Sequence, residues 1–180
     1  MLQWLCRNRR AFRHDRRGTA AVEFALAATL LVVALLNAVD FGYYMYQRME
    51  VENAAEAGAQ AAWKTCSDQS TMLPATENCA NLTTAVTAAI QNTSLGTAIS
   101  LISGSPTEGY YCVNATNTLQ AVGSLSSKPT DCSSVGRASV SPGDYIQVSV
   151  TCAYAPLFGI SLMSASGITS INMTTWMRLA

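Results

Sequence analysis

The sequence predicts an α+β fold, in which one long N-terminal helix leads into a small domain with a second helix and an antiparallel sheet. Three observations carry that prediction. A helical pattern without proline runs over residues 19–64, the composition turns to Ser, Thr, Asn and Gly after Cys66, and apolar residues alternate with polar ones near the C-terminus. A long helix first and strands last puts one face of the sheet against helix. With 180 residues the chain has room for one ordinary domain and an anchor.

The balanced formal charge hides a polarised chain. Through Gly18 the chain carries Arg7, Arg9, Arg10, Arg13, Arg16 and Arg17 against Asp15, a net +5, and the remainder carries −5. Residues 24–36 are apolar apart from Thr29, on every side of a helix rather than along one stripe. Counted over residues 19–39, the segment covers about 31 Å at about 1.5 Å per residue, the thickness of a hydrocarbon core. Arginines directly before such a span stay cytoplasmic. The expected organisation is a basic cytoplasmic leader over 1–18, a transmembrane helix over 19–39, an amphipathic continuation over 40–64, and an external domain over 65–180.

A cleaved secretory signal is the nearest rival to a span. Its apolar core runs about 7–15 residues and ends in a small-x-small site. "LNAVDF" offers no convincing site, and Phe41, Tyr43, Tyr44 and Tyr46 read as the aromatic belt of a membrane interface.

Beyond the span, Val51, Ala54, Ala55, Gly58 and Ala62 recur at three- and four-residue spacing, with Asn53, Glu56, Gln60 and Lys64 opposite. Such a face packs either on the chain's own domain or on other copies and partners, since Gly and Ala let helices approach closely. "SDQSTMLPATENC" reads as a loop. A second helix is expected over 81–95, capped by Asn81 and ended by Gly96. "DYIQVSVTCAYAP" is the clearest strand, joined by weaker ones at "AISLIS", "YYCVNA" and "ITSINMTTWMRL". Residues 122–144 read as a connecting surface loop.

Of six cysteines, Cys6 lies in the leader, so five share an oxidising compartment. The expected bridges are Cys66 to Cys79 and Cys112 to Cys132, because each closes a polar loop, which leaves Cys152 as a buried thiol or an intermolecular link. Without a CxxC, and with His14 as the only histidine, no metal site is expected. The same lack of histidine outside the leader removes Ser-His and Cys-His nucleophiles, and GxSxG, HExxH and GxxxxGK[ST] are all missing. Asp68, Glu77, Glu108, Asp131 and Asp144 are expected to be solvated loop charges. The acidic external part does not suit nucleic acid. No enzymatic activity, cofactor or small-molecule substrate is expected.

"RRG" followed by "TAAVEFALAATLL" resembles the processing site of the TadE-like pseudopilins of tight adherence (Tad, or Flp) pili, and the similarity continues through "FGYYMYQRMEVENAAEAGAQAAW". It covers about the first 65 residues and implies a pilin-like architecture. In that family a membrane aspartic peptidase cuts after the glycine, and a glutamate with an aromatic neighbour occupies the fifth mature position. The resemblance maps these onto Gly18, Thr19 as first mature residue, Glu23 and Phe24; the family's tyrosine is here a phenylalanine. It further implies an inner-membrane protein with a periplasmic domain, acting in assembly or initiation of a pilus for surface adhesion. Its implied partners are the prepilin peptidase, the major pilin, other pseudopilins and the membrane assembly platform. The alternative is an uncleaved signal-anchored envelope protein whose external domain binds a partner.

The resemblance gives Glu23 a physical reason. A carboxylate near a bilayer costs several kcal/mol unless it is paired or shallow. Cleavage after Gly18 creates an α-ammonium on Thr19, one helical turn away, which can neutralise Glu23 in the same chain or in a staggered neighbour.

Overall fold

The computed structural model describes residues 17–67, 71–159 and 161–180. Most of the expected leader, with Cys6 and His14, lies outside them, as does Asp68. The elements run α1 (Arg17–Cys66), α2 (Ala75–Asn78), α3 (Leu82–Gln91), β1 (Ile99–Leu101), β2 (Thr107–Val113), β3 (Leu119–Ala121), β4 (Gly143–Ala153), α4 (Leu162–Ala165) and β5 (Ser170–Arg178). The class is α+β, with a long apolar N-terminal helix followed by a second helix and an antiparallel sheet.

The chain divides into two compact units. One consists of the chain up to Tyr43 together with Pro156–Gly167. Its helical part is the first half of α1, and the inserted segment contains α4.

The other unit holds Tyr44–Ala155 and Ile168–Ala180. Its centre is β4, whose alternation buries Ile146, Val148, Val150 and Cys152 while Tyr145, Gln147, Ser149 and Thr151 remain partly exposed. β5 pairs antiparallel along β4, from Tyr145↔Arg178 to Ala153↔Ser170. The other edge of β4 is shared by β1 near Val150 to Cys152 and β2 near Gly143 to Gln147, and β3 adds outside β2. On the buried face the second half of α1 meets α3 and the sheet. A Cβ placed on Gly58 would lie 2.8 Å from Ile90 and 3.2 Å from both Val86 and Val148, so the close approach requires glycine there. A smaller cluster of Tyr110, Cys112, Val122 and Cys132 closes the far end of the sheet.

Two local expectations need correction. The second helix ends at Gln91 rather than near Leu95, and Asn81 makes no side-chain capping bond. Asn81 sits at ψ 2°, whereas a side-chain cap needs extended backbone. The helix start is instead fixed by a backbone turn, Leu82 N to Cys79 O at 3.1 Å, from a cysteine bridged to α1. Gly96 does not terminate the helix directly. It opens a 3-10 turn with φ +54°, a left-handed conformation that favours glycine.

Candidate processing and assembly segment

Gly18, Thr19, Glu23 and Phe24 all lie in the first two turns of α1 and are exposed. No heavy atom lies within 4 Å of a Cβ built on Gly18, so packing among the described residues gives no reason for glycine at that position. Thr19 and Glu23 are four residues apart and share a helix face. Phe24 is 74% exposed, and Val22, Leu26, Leu30, Leu31, Val32, Leu35 and Val39 are exposed with it, on all sides of the helix. A helix this apolar with none of its most apolar window buried is long enough to cross a membrane. Its internal polar side chains are satisfied locally. Thr29 Oγ1 donates to the Ala25 carbonyl at 2.8 Å, and Asn37 Nδ2 donates to the Val33 carbonyl at 2.8 Å.

One residue of this unit escaped the sequence reading. Asp40 is fully buried. Its Oδ1 accepts the Leu157 backbone amide at 2.7 Å and its Oδ2 accepts the Ser161 hydroxyl. One turn earlier, Asn37 Oδ1 accepts the Leu162 amide at 2.7 Å. These partners lie 117 to 125 residues away, beyond any local pattern. The only sequence signal was a lone acid directly after an apolar span.

The stripe Val51, Ala54, Ala55, Gly58 and Ala62 is buried within the second unit, where Gly58 faces Val86, Ile90 and Val148. Of the two occupants its pattern allowed, this stretch is covered by the chain's own domain. Glu52, Asn53, Glu56, Gln60 and Lys64 remain exposed on the opposite side.

The acidic residues depart most from expectation. Glu77 is exposed and Asp131 partly so; hydrogen bonding from the Ser133 hydroxyl first, then from the Ser133 amide at 2.9 Å, holds the Asp131 carboxyl below the ordinary value. Asp144 is instead 1% exposed and begins the central strand. The register sets Asp144 opposite Tyr110 and Ile146 opposite Glu108, so both acids occupy the face of the sheet that alternation buries. Burial first, then the Glu108 charge and a hydrogen bond with Glu108, push the Asp144 carboxyl up to about 7, with Lys128 opposing. Asp144 Oδ1 is buried without a hydrogen-bond partner.

The pair lies beside a cavity of about 180 Å³ lined by Leu73, Tyr110, Lys128, Asp144 and Ala180. Glu108 is not among those lining residues, and both its oxygens are committed elsewhere. Oε1 accepts the Ala75 amide at 2.7 Å; Oε2 accepts the Thr76 amide at 2.6 Å and the Thr76 hydroxyl at 2.7 Å. Glu108 therefore ties α2 to the sheet, and the pair does not present two free acids to a substrate. Tyr110, opposite Asp144, has its own hydroxyl pKa raised, chiefly by burial.

Two disulfides hold the loops: Cys66–Cys79 with Cα atoms 5.8 Å apart, and Cys112–Cys132 at 5.7 Å. Cys152 is a free, buried thiol whose pKa burial pushes up. Among the described residues no group of three or more His, Cys, Asp or Glu is placed to hold a metal ion.

No curated protein and no solved structure matches the chain. A family model does, and the match begins at the glycine: residues 18–60, from Gly18 through the exposed apolar helix and most of the buried stripe, are similar to the family of TadE-like proteins.

Proposed function

We propose that the chain is a pseudopilin of a Tad-type pilus, held in the inner membrane by the first half of α1 and released from its leader by a prepilin peptidase that cuts after Gly18. The reading is supported by one observation above the others. The family match starts at a glycine that no packing among the described residues requires, five residues before an exposed glutamate on an otherwise apolar helix. A residue whose identity the fold does not demand is there for another reason, and recognition by a peptidase supplies one.

After cleavage the ammonium of Thr19 neutralises Glu23, in the same chain or in a neighbour staggered by about one turn. Glu23 thereby acts as a docking and register device among helices in lipid, and the chain takes part in starting or assembling the pilus. Its partners in this reading are the peptidase, the major pilin, companion pseudopilins and the assembly platform, with the C-terminal domain on the periplasmic side. In this reading it catalyses nothing; Glu108, beside the buried Asp144, acts as a tie between α2 and the sheet.

N-terminal sequencing of the chain extracted from membranes of cells with a working peptidase tests the proposal. A first residue of Thr19 is expected, and retention of Met1 overturns it in favour of an uncleaved signal-anchored envelope protein. Gly18→Leu should leave the leader attached, while Glu23→Ala should still be cleaved and should fail in assembly.

A further inference from the structure

We infer that residues 156–159 and 161–167, in the connection between β4 and β5, form a second membrane contact: a short segment that lies in the interfacial layer of the bilayer spanned by α1. The inference rests on the anchor reading of α1 and goes beyond it.

The first observation is chemical. "PLFGISLMSASG" contains no charged residue, within a chain portion that carries ten acids, so nothing in it demands bulk water. Leu157 is 52% exposed and Leu162 is 75% exposed, although both backbones are firmly held. A water-facing loop leaves its amides to solvent and carries polar tips. Here the reverse holds.

The second observation is where the loop is held. Its tethers are Asn37 and Asp40, which bracket the end of the apolar run near Val39. The next turns of α1 carry Phe41 and Tyr46, both exposed, in the aromatic arrangement that marks the boundary between lipid and water. Leu157 and Leu162 are therefore fixed to the helix within about one turn of that boundary. The loop adds exposed leucines to a surface already apolar, and continuity with the span points to lipid as their occupant.

The third observation explains the buried carboxylate. Where water is scarce, each unpaired backbone amide costs several kcal/mol. Asp40 and Asn37 accept the Leu157 and Leu162 amides, and the Ser161 hydroxyl, held by Asp40, itself accepts the Ser164 amide at 3.1 Å. The Ser166 hydroxyl turns back to the Met163 carbonyl at 2.6 Å. The amides of Leu157 and Leu162 and the Ser161 hydroxyl are thus turned toward α1 and the two leucines outward, which is the arrangement a headgroup layer requires.

The test uses the full chain in vesicles of phosphatidylcholine and phosphatidylglycerol, with Cys6→Ser and Cys152→Ala to leave only the bridged cysteines. Nitroxides are attached after Leu162→Cys, Leu30→Cys or Ser126→Cys, and collisions with oxygen and with a water-soluble nickel complex are measured. The expected result is an oxygen-to-nickel ratio at 162 several-fold above that at 126, shifted toward the value at 30. A position 162 that reads like 126, while 30 reads as lipid, overturns the inference and leaves the anchor intact. If 162 is shielded from both agents, protein covers the loop and the inference also fails. A position 30 that reads like 126 removes the anchor itself. Adding Asp40→Ala should restore nickel access at 162 and leave 30 unchanged; no change at 162 would mean that the clamp does not set its depth.

Discussion

The two halves of α1 are both rich in Ala, yet they are solvated in opposite ways. From Val22 to Val39 large apolar side chains are exposed around the whole circumference, whereas from Val51 to Cys66 burial follows a single stripe, with Trp63 exposed beside it. What separates them is the polar complement. Glu52, Glu56, Gln60 and Lys64 give the second half a wet side, so it needs only one covered face; the first half has no wet side and needs an apolar medium all round. The same contrast separates two acids that both look like surface charges in the sequence. Asp40 spends both oxygens on one loop, while Asp144 leaves one oxygen without a partner and has its carboxyl pushed up to about 7, first by burial.

The comparison can be broken most severely at the end of the buried half. Replacing Cys66 and Cys79 by Ser, which opens a closure with a sequence separation of 13, should lower the unfolding free energy by about 3 kcal/mol in denaturant titrations. Gly58→Leu should cost about 2 kcal/mol by overpacking against Ile90, whereas Gly42→Leu, with open space around its Cβ, should leave the unfolding midpoint unchanged.

A pH series sharpens the contrast between the acids. The Asp144 pKa is raised from an unfolded value of 3.8 to about 7, so between those values the folded state binds more protons than the unfolded one. Its contribution is full below the unfolded value and is lost as pH rises through about 7. The melting temperature should therefore fall from pH 5 to pH 8, and Asp144→Asn should flatten that slope. A slope that survives the substitution would place the titrating group elsewhere. The smallest effect is expected in the exposed half: Leu30→Ala should change the unfolding of the C-terminal domain by less than about 0.5 kcal/mol, because Leu30 is 75% exposed.

Much of the fold was legible because it is written in short-range periodicity. The long helix, the second helix and the strand at β4 each follow from spacing within a few turns or residues. The pattern from Gly18 to Phe24 also consists of residue types at fixed short intervals, and the family match begins at the same glycine. The start of α3 was misjudged because a backbone turn from a bridged cysteine, not an Asn81 side-chain cap, sets its entry. The acids were misjudged because composition assigns Asp and Glu to water, and only strand register turned Glu108 and Asp144 to the buried face.

By itself, then, the sequence determined the existence of an apolar helix with a lone glutamate near its start, a narrow small-residue stripe further on, and a period-two strand in the C-terminal part. Only tertiary structure decided that the stripe meets Val86, Ile90 and Val148, that β4 is the central strand, and that Asp40 holds a loop more than a hundred residues away. The reason is physical: helix and strand formation depend on neighbours along the chain, whereas the burial and pairing of a polar group depend on atoms that arrive only when distant segments pack together.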